Sequence, residues 1–233
     1  MKYLKFHYLA FACFTLLCMK GYMQDNESTL ATLFPSASSY ERPYELIADL
    51  NKKLIADPDN PELLASRAIQ YSRVNDYDYA FRDMKRAIAL SPEDHTLYYR
   101  LGLIYYKKKS YAEAILQFNI ALSYSPNNED YLLLRAMTFS MNNQYVEAVN
   151  DADLITVINP NNTDAYLLCG KLYERLGLYY YSFRSYYSFL KYEQTDKANI
   201  NLVKKHLKFM KKKDPYFRQL LRRAKKSVFG KEK

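Results

Sequence analysis

The sequence predicts an all-α fold, a solenoid of antiparallel helix pairs with a capping helix at each end. Three observations predict it. Pro58, Pro92, Pro126 and Pro160 stand in near copies of one setting, "ADPDNPE", "LSPEDHT", "YSPNNED" and "INPNNTD", 34 residues apart. Only 5 of the 233 residues are Gly, and no strand-like alternation of apolar and polar residues is evident. With units set at 61–94, 95–128, 129–162 and 163–196, the same size of side chain recurs in the same column of each unit. A fixed period of this length marks an architecture in which each unit buries its apolar face on its neighbours.

The chain opens with Lys2 and Lys5, then fourteen uncharged, mostly apolar residues before Lys20. That run is short for a bilayer span and fits the apolar core of an export signal. Residues 1–23 are therefore read as a signal peptide, which would place the protein in the periplasm or cell envelope. The rival reading keeps residues 6–19 as a membrane anchor. Residues 24–43 are rich in Ser and Thr, lack a period, and read as a linker. The solenoid with its leading and capping helices is expected over 44–212. Its leading helix starts at Tyr44, with Leu46, Leu50 and Ala56 on the packed side, because the first repeat of a stack needs a cover.

Within the units, column eight holds Ala68, Gly102, Ala136 and Gly170, and column twenty holds Ala80, Ala114, Ala148 and Ser182. Small residues facing one another let two antiparallel helices approach closely. Columns four, eleven and seventeen carry Leu, Tyr or Phe throughout, such as Tyr71, Tyr105, Phe139 and Tyr173 at column eleven, and fill the space beside that approach. Polar or glycine residues in "VNDYDYA", "KKKSYAEA", "MNNQYVEA" and "RLGLYYYS" end the first helix of each unit and start the second. Each proline then ends the second helix, since the residue before it is pushed out of the helical region. Gln194 stands where a fifth proline was due.

After the fourth unit, "KANINLVKKHLKFMKKK" reads as a capping helix with Ile200, Val203, Leu207 and Met210 along one side. Asp214 and Pro215 open a further amphipathic helix, so residues 213–233 form a basic tail. From residue 204 onward there are 13 Lys or Arg against two acids, a net +11. The whole chain is +9, which leaves −2 for residues 1–203. Lys211, Lys212, Lys213, Arg218, Arg222, Arg223, Lys225 and Lys226 are the candidates to contact an anionic membrane surface or an acidic partner. A nucleic-acid partner is not expected, because an exported chain would not meet one and no recognition motif is present.

Nothing in the sequence assembles a catalytic centre. His7, His95 and His206 are scattered without ligand spacing, so neither a metal nor another cofactor is expected. Asp151 and Asp153 are expected on a solvated helix face, since residues two apart on a helix diverge. Cys169, the last of 3 cysteines, falls at column seven on a face that should be buried, and reads as a small hydrophobe. The chain is read as a non-enzyme.

These columns resemble the tetratricopeptide repeat family, whose unit is a helix, a turn and a second helix with large, small and proline positions in this order. The resemblance covers residues 61–192. Column twenty-seven, with Ala87, Ala121, Ile155 and Phe189, departs from the family's small residue in the later units. The resemblance implies a protein partner held in a groove lined by the first helices. At column five it implies Ala65, Tyr99, Leu133 and Leu167 as lining, and at column nine Ile69, Leu103, Met137 and Lys171. Tyr106 and Ser140 join them from column twelve. Members that grip a terminal carboxylate carry Lys and Asn at columns five and nine of the first unit. Ala65 and Ile69 stand there, which argues against that mode. The implied partner is an apolar or amphipathic segment.

Overall fold

The computed structural model describes residues 42–213. The chain divides into two compact units, residues 1–45 and 46–233, and of the first only the opening turn of one helix is described. Among the described residues there are ten helices and no strand. A leading helix, α1 (Arg42–Ala56), is followed by four hairpins. These are α2 (Pro61–Arg73) with α3 (Tyr77–Leu90), and α4 (His95–Lys107) with α5 (Tyr111–Tyr124). The next two are α6 (Glu129–Met141) with α7 (Tyr145–Ile158), and α8 (Thr163–Arg175) with α9 (Tyr179–Tyr192). A last helix, α10 (Lys197–Lys213), closes the described part. The predicted all-α stack is observed.

Every first helix starts the same way. Asn60, Asp94, Asn128 and Asn162 are the N-caps, and each side-chain oxygen accepts a hydrogen bond from a backbone N–H of the first turn. Those donors have no partner within the helix, so the side chain replaces the water lost on packing. Every first helix also ends the same way. Asn75, Lys109, Asn143 and Gly177 have φ between 62° and 73°. The backbone N–H of the following residue then reaches back to a carbonyl five positions earlier, as from Asp76 to Tyr71 (2.9 Å) and from Gln144 to Phe139 (2.8 Å). This left-handed reversal turns the chain into the second helix.

The second helices α3, α5 and α7 stop two residues before Pro92, Pro126 and Pro160. Where the fifth proline is missing, Glu193 takes over. Its carboxylate accepts from the backbone N–H of Thr195 (2.9 Å) and Asp196 (3.0 Å) and from the hydroxyls of Thr195 (2.8 Å) and Thr163 (3.1 Å). These bonds hold the Glu193 carboxyl at about 2, below its ordinary 4.5.

Each first helix packs on the second of its own pair, and each second helix on the first helix of the next pair. The core runs along these seams. Leu54 of α1 joins Leu64, Ala68, Ala80, Met84, Ala87, Leu97 and Ile104 in one buried cluster spanning α1 to α4. Beyond it, Ala121, Leu132, Ile155 and Ala165 link the later repeats. At the far end Val203 and Met210 of α10 are buried against Leu167, Phe183, Tyr186 and Phe189, with Ile200 and Leu207 beside them. The large Phe189 at column twenty-seven thus has a purpose: it meets the capping helix rather than another repeat.

The leading helix packs differently from its expected pattern. Its buried residues are Ile47, Leu50 and Leu54, while Leu46 and Ala56 are exposed. Positions 47, 50 and 54 lie three and four apart and share one stripe, which Leu46 and Ala56 flank.

Candidate functional site

The candidate binding residues all project from the four first helices, where one column recurs along the stack. The structure buries Ala65, Leu103, Tyr106, Met137, Ser140 and Leu167, and leaves Ile69, Tyr99, Leu133 and Lys171 half-buried. Column five carries much of the repeat-to-repeat packing. The Tyr99 ring stacks on Tyr131 of the next repeat at 4.5 Å and tilts against Phe118 at 5.9 Å. Burial, followed by the Asp130 carboxylate and Tyr131, pushes the Tyr99 hydroxyl well above its usual range. It therefore stays protonated and serves as a neutral donor and acceptor.

One column went unread in the sequence. Column thirteen places Arg73, Lys107 and Arg175 at the ends of three first helices. Burial and then Arg73 hold the Lys107 ammonium below its usual range. The signal was available in the repeat register, and it adds positive charge at the C-terminal ends of three first helices. Of the basic tail, Lys211 and Lys212 are exposed at the end of α10 and Lys213 is its last residue. Arg218, Arg222, Arg223, Lys225 and Lys226 lie outside the described residues, as do the signal or anchor at residues 1–23 and nearly all of the linker.

A second set of polar side chains sits on the seams, joining residues 16 positions apart. In the first repeat Arg67 donates from Nε and Nη2 to the two oxygens of Asp83 (2.6 and 3.0 Å), and from Nη1 to Asn51 of the preceding helix (2.7 Å). The third repeat repeats it. Arg135 donates to Asp151 (2.7 and 2.7 Å) and to Asn119 (2.8 Å). Asp151 is therefore no solvated surface acid. It is 6% exposed, because a forked guanidinium bridging two helices removes it from water. The second repeat has Leu101 and Gln117 in these places and ties to the first through Arg100, which donates to both oxygens of Glu62 (2.8 and 2.9 Å).

The fourth repeat is different again. Cys169, buried as expected, donates from Sγ to Asp153 (3.3 Å), and the Tyr173 hydroxyl donates to the other Asp153 oxygen. Asp153 is half-buried, not solvated, since α8 lies over it. Burial and then the Asp153 carboxylate push the Cys169 thiol well up, which keeps it a protonated donor and a poor nucleophile. His206 of α10 makes a 2.8 Å contact from Nδ1 to Glu174, which also accepts from the Tyr186 hydroxyl (3.1 Å), so the capping helix is held by polar groups as well as apolar ones. Among the described residues no group of three His, Cys, Asp or Glu side chains could hold a metal ion. No described helix is long and apolar enough to cross a membrane.

A stack of helix hairpins sharing one 34-residue register, with caps and reversals at fixed columns, defines a helical repeat scaffold of the class that binds other proteins. The chain carries a tetratricopeptide repeat: residues 95–128, the second unit of the register, match the tetratricopeptide repeat model. No curated protein sequence matches it. Among solved structures it is similar to that of MamA, at a TM-score of 0.57 and 22% identity over 63% of this chain and 85% of that one. It is also similar to MamA 41-end from Desulfovibrio magneticus RS-1, at a TM-score of 0.60 and 17% identity over 77% of this chain and 98% of that one. At these identities the likeness is one of fold.

Proposed function

We propose that the protein is a non-enzymatic scaffold of the cell envelope that holds a peptide or a helix of a partner protein against its first helices. One observation carries the reading: four hairpins in a single register bring columns five, nine and thirteen side by side from repeat to repeat. Ile69, Tyr99, Leu133 and Lys171 are half-buried on the first helices, and Arg73, Lys107 and Arg175 end three of those helices. An amphipathic segment with acidic residues beside its apolar ones suits such a surface. The likeness of fold to MamA supports the helical repeat architecture. Export through residues 1–23 is part of the proposal, and the intact mass of the natural protein tests it, since a start near Gln24 means cleavage and a retained Met1 means an anchor.

The direct test compares capture of partners from the native organism by the wild-type protein and by a Leu133→Asp, Lys171→Glu double variant. Both positions are half-buried, so the variant keeps its helical signal and loses the captured protein. Equal capture by the two would remove the first-helix face from the function. The tail is tested apart from the face. Vesicles of anionic lipid should sediment the wild-type protein at low salt and release it as salt rises, and deleting residues 214–233 should abolish this.

A further inference from the structure

We propose that the cavity at the seam of the third and fourth repeats binds a guanidinium group, an arginine side chain brought to it by a polypeptide. The cavity measures about 250 Å³ and is lined by Asp153, Tyr166, Tyr173, Tyr181, Arg184 and Ser185 among others. That is smaller than the roughly 300–1,000 Å³ typical of pockets for whole small molecules, and matches the head of one side chain better.

The chain supplies its own template. In the first and third repeats column seven is an arginine that clasps the aspartate of column twenty-three and donates to the amide oxygen at column twenty-five of the preceding helix. Its guanidinium lies over the ring at column eleven, Arg67 at 5.9 Å from the Tyr71 centroid and Arg135 at 5.7 Å from that of Phe139. In the fourth repeat the arginine is replaced by Cys169 and the aspartate by Ser185, both short. The ring remains as Tyr173, and column twenty-five becomes Asp153, a carboxylate instead of an amide. Acceptor and ring are kept while the column-seven cation is gone, and Asp153, Tyr173 and Ser185, which stand at three of the columns around that cation, line an open cavity. Among the described residues Asp153 has no ion-pair partner: both its donors, Cys169 and Tyr173, are neutral. A half-buried carboxylate with only neutral donors gains strongly from a cation that returns the lost charge compensation.

Arg184, which also lines the cavity, does not forbid this. Its counterpart in the first repeat, Arg82, lies over Tyr79 at 4.5 Å and 4.0 Å from Asp83 while Arg67 occupies the inner place. The tyrosine pair is shared as well, Tyr71 with Tyr79 at 5.2 Å and Tyr173 with Tyr181 at 5.3 Å. One acid and two stacked rings therefore accommodate an outer and an inner guanidinium in the first repeat, and in the fourth repeat Arg184 stands at the outer column while the inner column holds Cys169. A planar, forked cation fits this frame better than the point charge of an ammonium.

Titration of the full-length protein with L-argininamide, followed by calorimetry, tests the proposal. Argininamide should bind saturably, lysinamide about tenfold more weakly, and citrullinamide, whose head is neutral, not measurably. Asp153→Asn should weaken argininamide by about tenfold. Cys169→Arg should supply the group internally, abolish uptake of the probe and raise the unfolding temperature. A full-length variant with Arg218, Arg222 and Arg223 changed to Gln identifies the source. Tighter probe binding there means that the chain's own tail fills the cavity, and unchanged binding means that another polypeptide does. Saturable binding absent from both chains, equal binding of citrullinamide, or an Asp153→Asn variant that binds like the wild type would overturn the proposal.

Discussion

Phe118 fills the space that a side chain on Gly102 would need: a Cβ built there lies 2.5 Å from Phe118 Cε1. The same pairing recurs in the fourth repeat, where a Cβ on Gly170 would lie 2.3 Å from the Tyr186 ring. In the first and third repeats the partner column holds Met84 and Ala152, and column eight is Ala68 and Ala136. Glycine appears on one helix where the opposing helix presents an aromatic ring. This gives the first prediction. Gly102→Ala should destabilise the protein by about 1–3 kcal/mol despite the better helix propensity of alanine, because Phe118 is fully buried and cannot retreat. Adding Phe118→Leu should recover part of the loss, and denaturant unfolding of both variants measures the coupling.

Arg135 and Asp151 supply the second prediction. Removing the cation by Arg135→Leu leaves a buried carboxylate unpaired and should cost about 3 kcal/mol. Changing both, Arg135→Leu with Asp151→Gln, copies the Leu101 and Gln117 of the second repeat and should return to within about 1 kcal/mol of the wild type. If the double variant is no more stable than the single one, the seam does not work as a pair.

Lys109 adopts the left-handed conformation at φ 66° without being Gly or Asn. That conformation costs a residue with a Cβ about 1 kcal/mol. Lys109→Gly should therefore raise stability by about that amount, and Gly177→Ala, at φ 73° with open space around it, should lower it by a similar amount. Thermal unfolding of the two variants should shift in opposite directions.

Glu193 makes the junction before α10 sensitive to acid. Its folded carboxyl sits at about 2, below the ordinary 4.5, so its contribution is complete above about pH 4.5 and is lost as pH falls through about 2. Asp164 nearby runs the other way: burial, then Glu193 and Asp196, raise its carboxyl, so its protonation relieves strain as pH falls. The stability gap between wild type and Glu193→Gln should be larger at pH 5 than at pH 2. A gap independent of pH would mean that the Glu193 side chain matters only as a shape.

The sequence by itself determined the repeat. Four prolines at one spacing, small residues at columns eight and twenty, and turn residues between them fix helix ends and hairpins, because caps, reversals and helical periodicity depend on residues a few positions apart. Tertiary structure alone decided which helix surfaces meet. Asp151 and Asp153 read as solvated acids until α6 and α8 were laid across them, and the ring facing Gly102 proved to be Phe118 of column twenty-four. Tyr99 likewise turned toward Tyr131 of the next repeat. Such contacts depend on how one hairpin is rotated and shifted against another, which the packing of whole faces sets and no local pattern encodes.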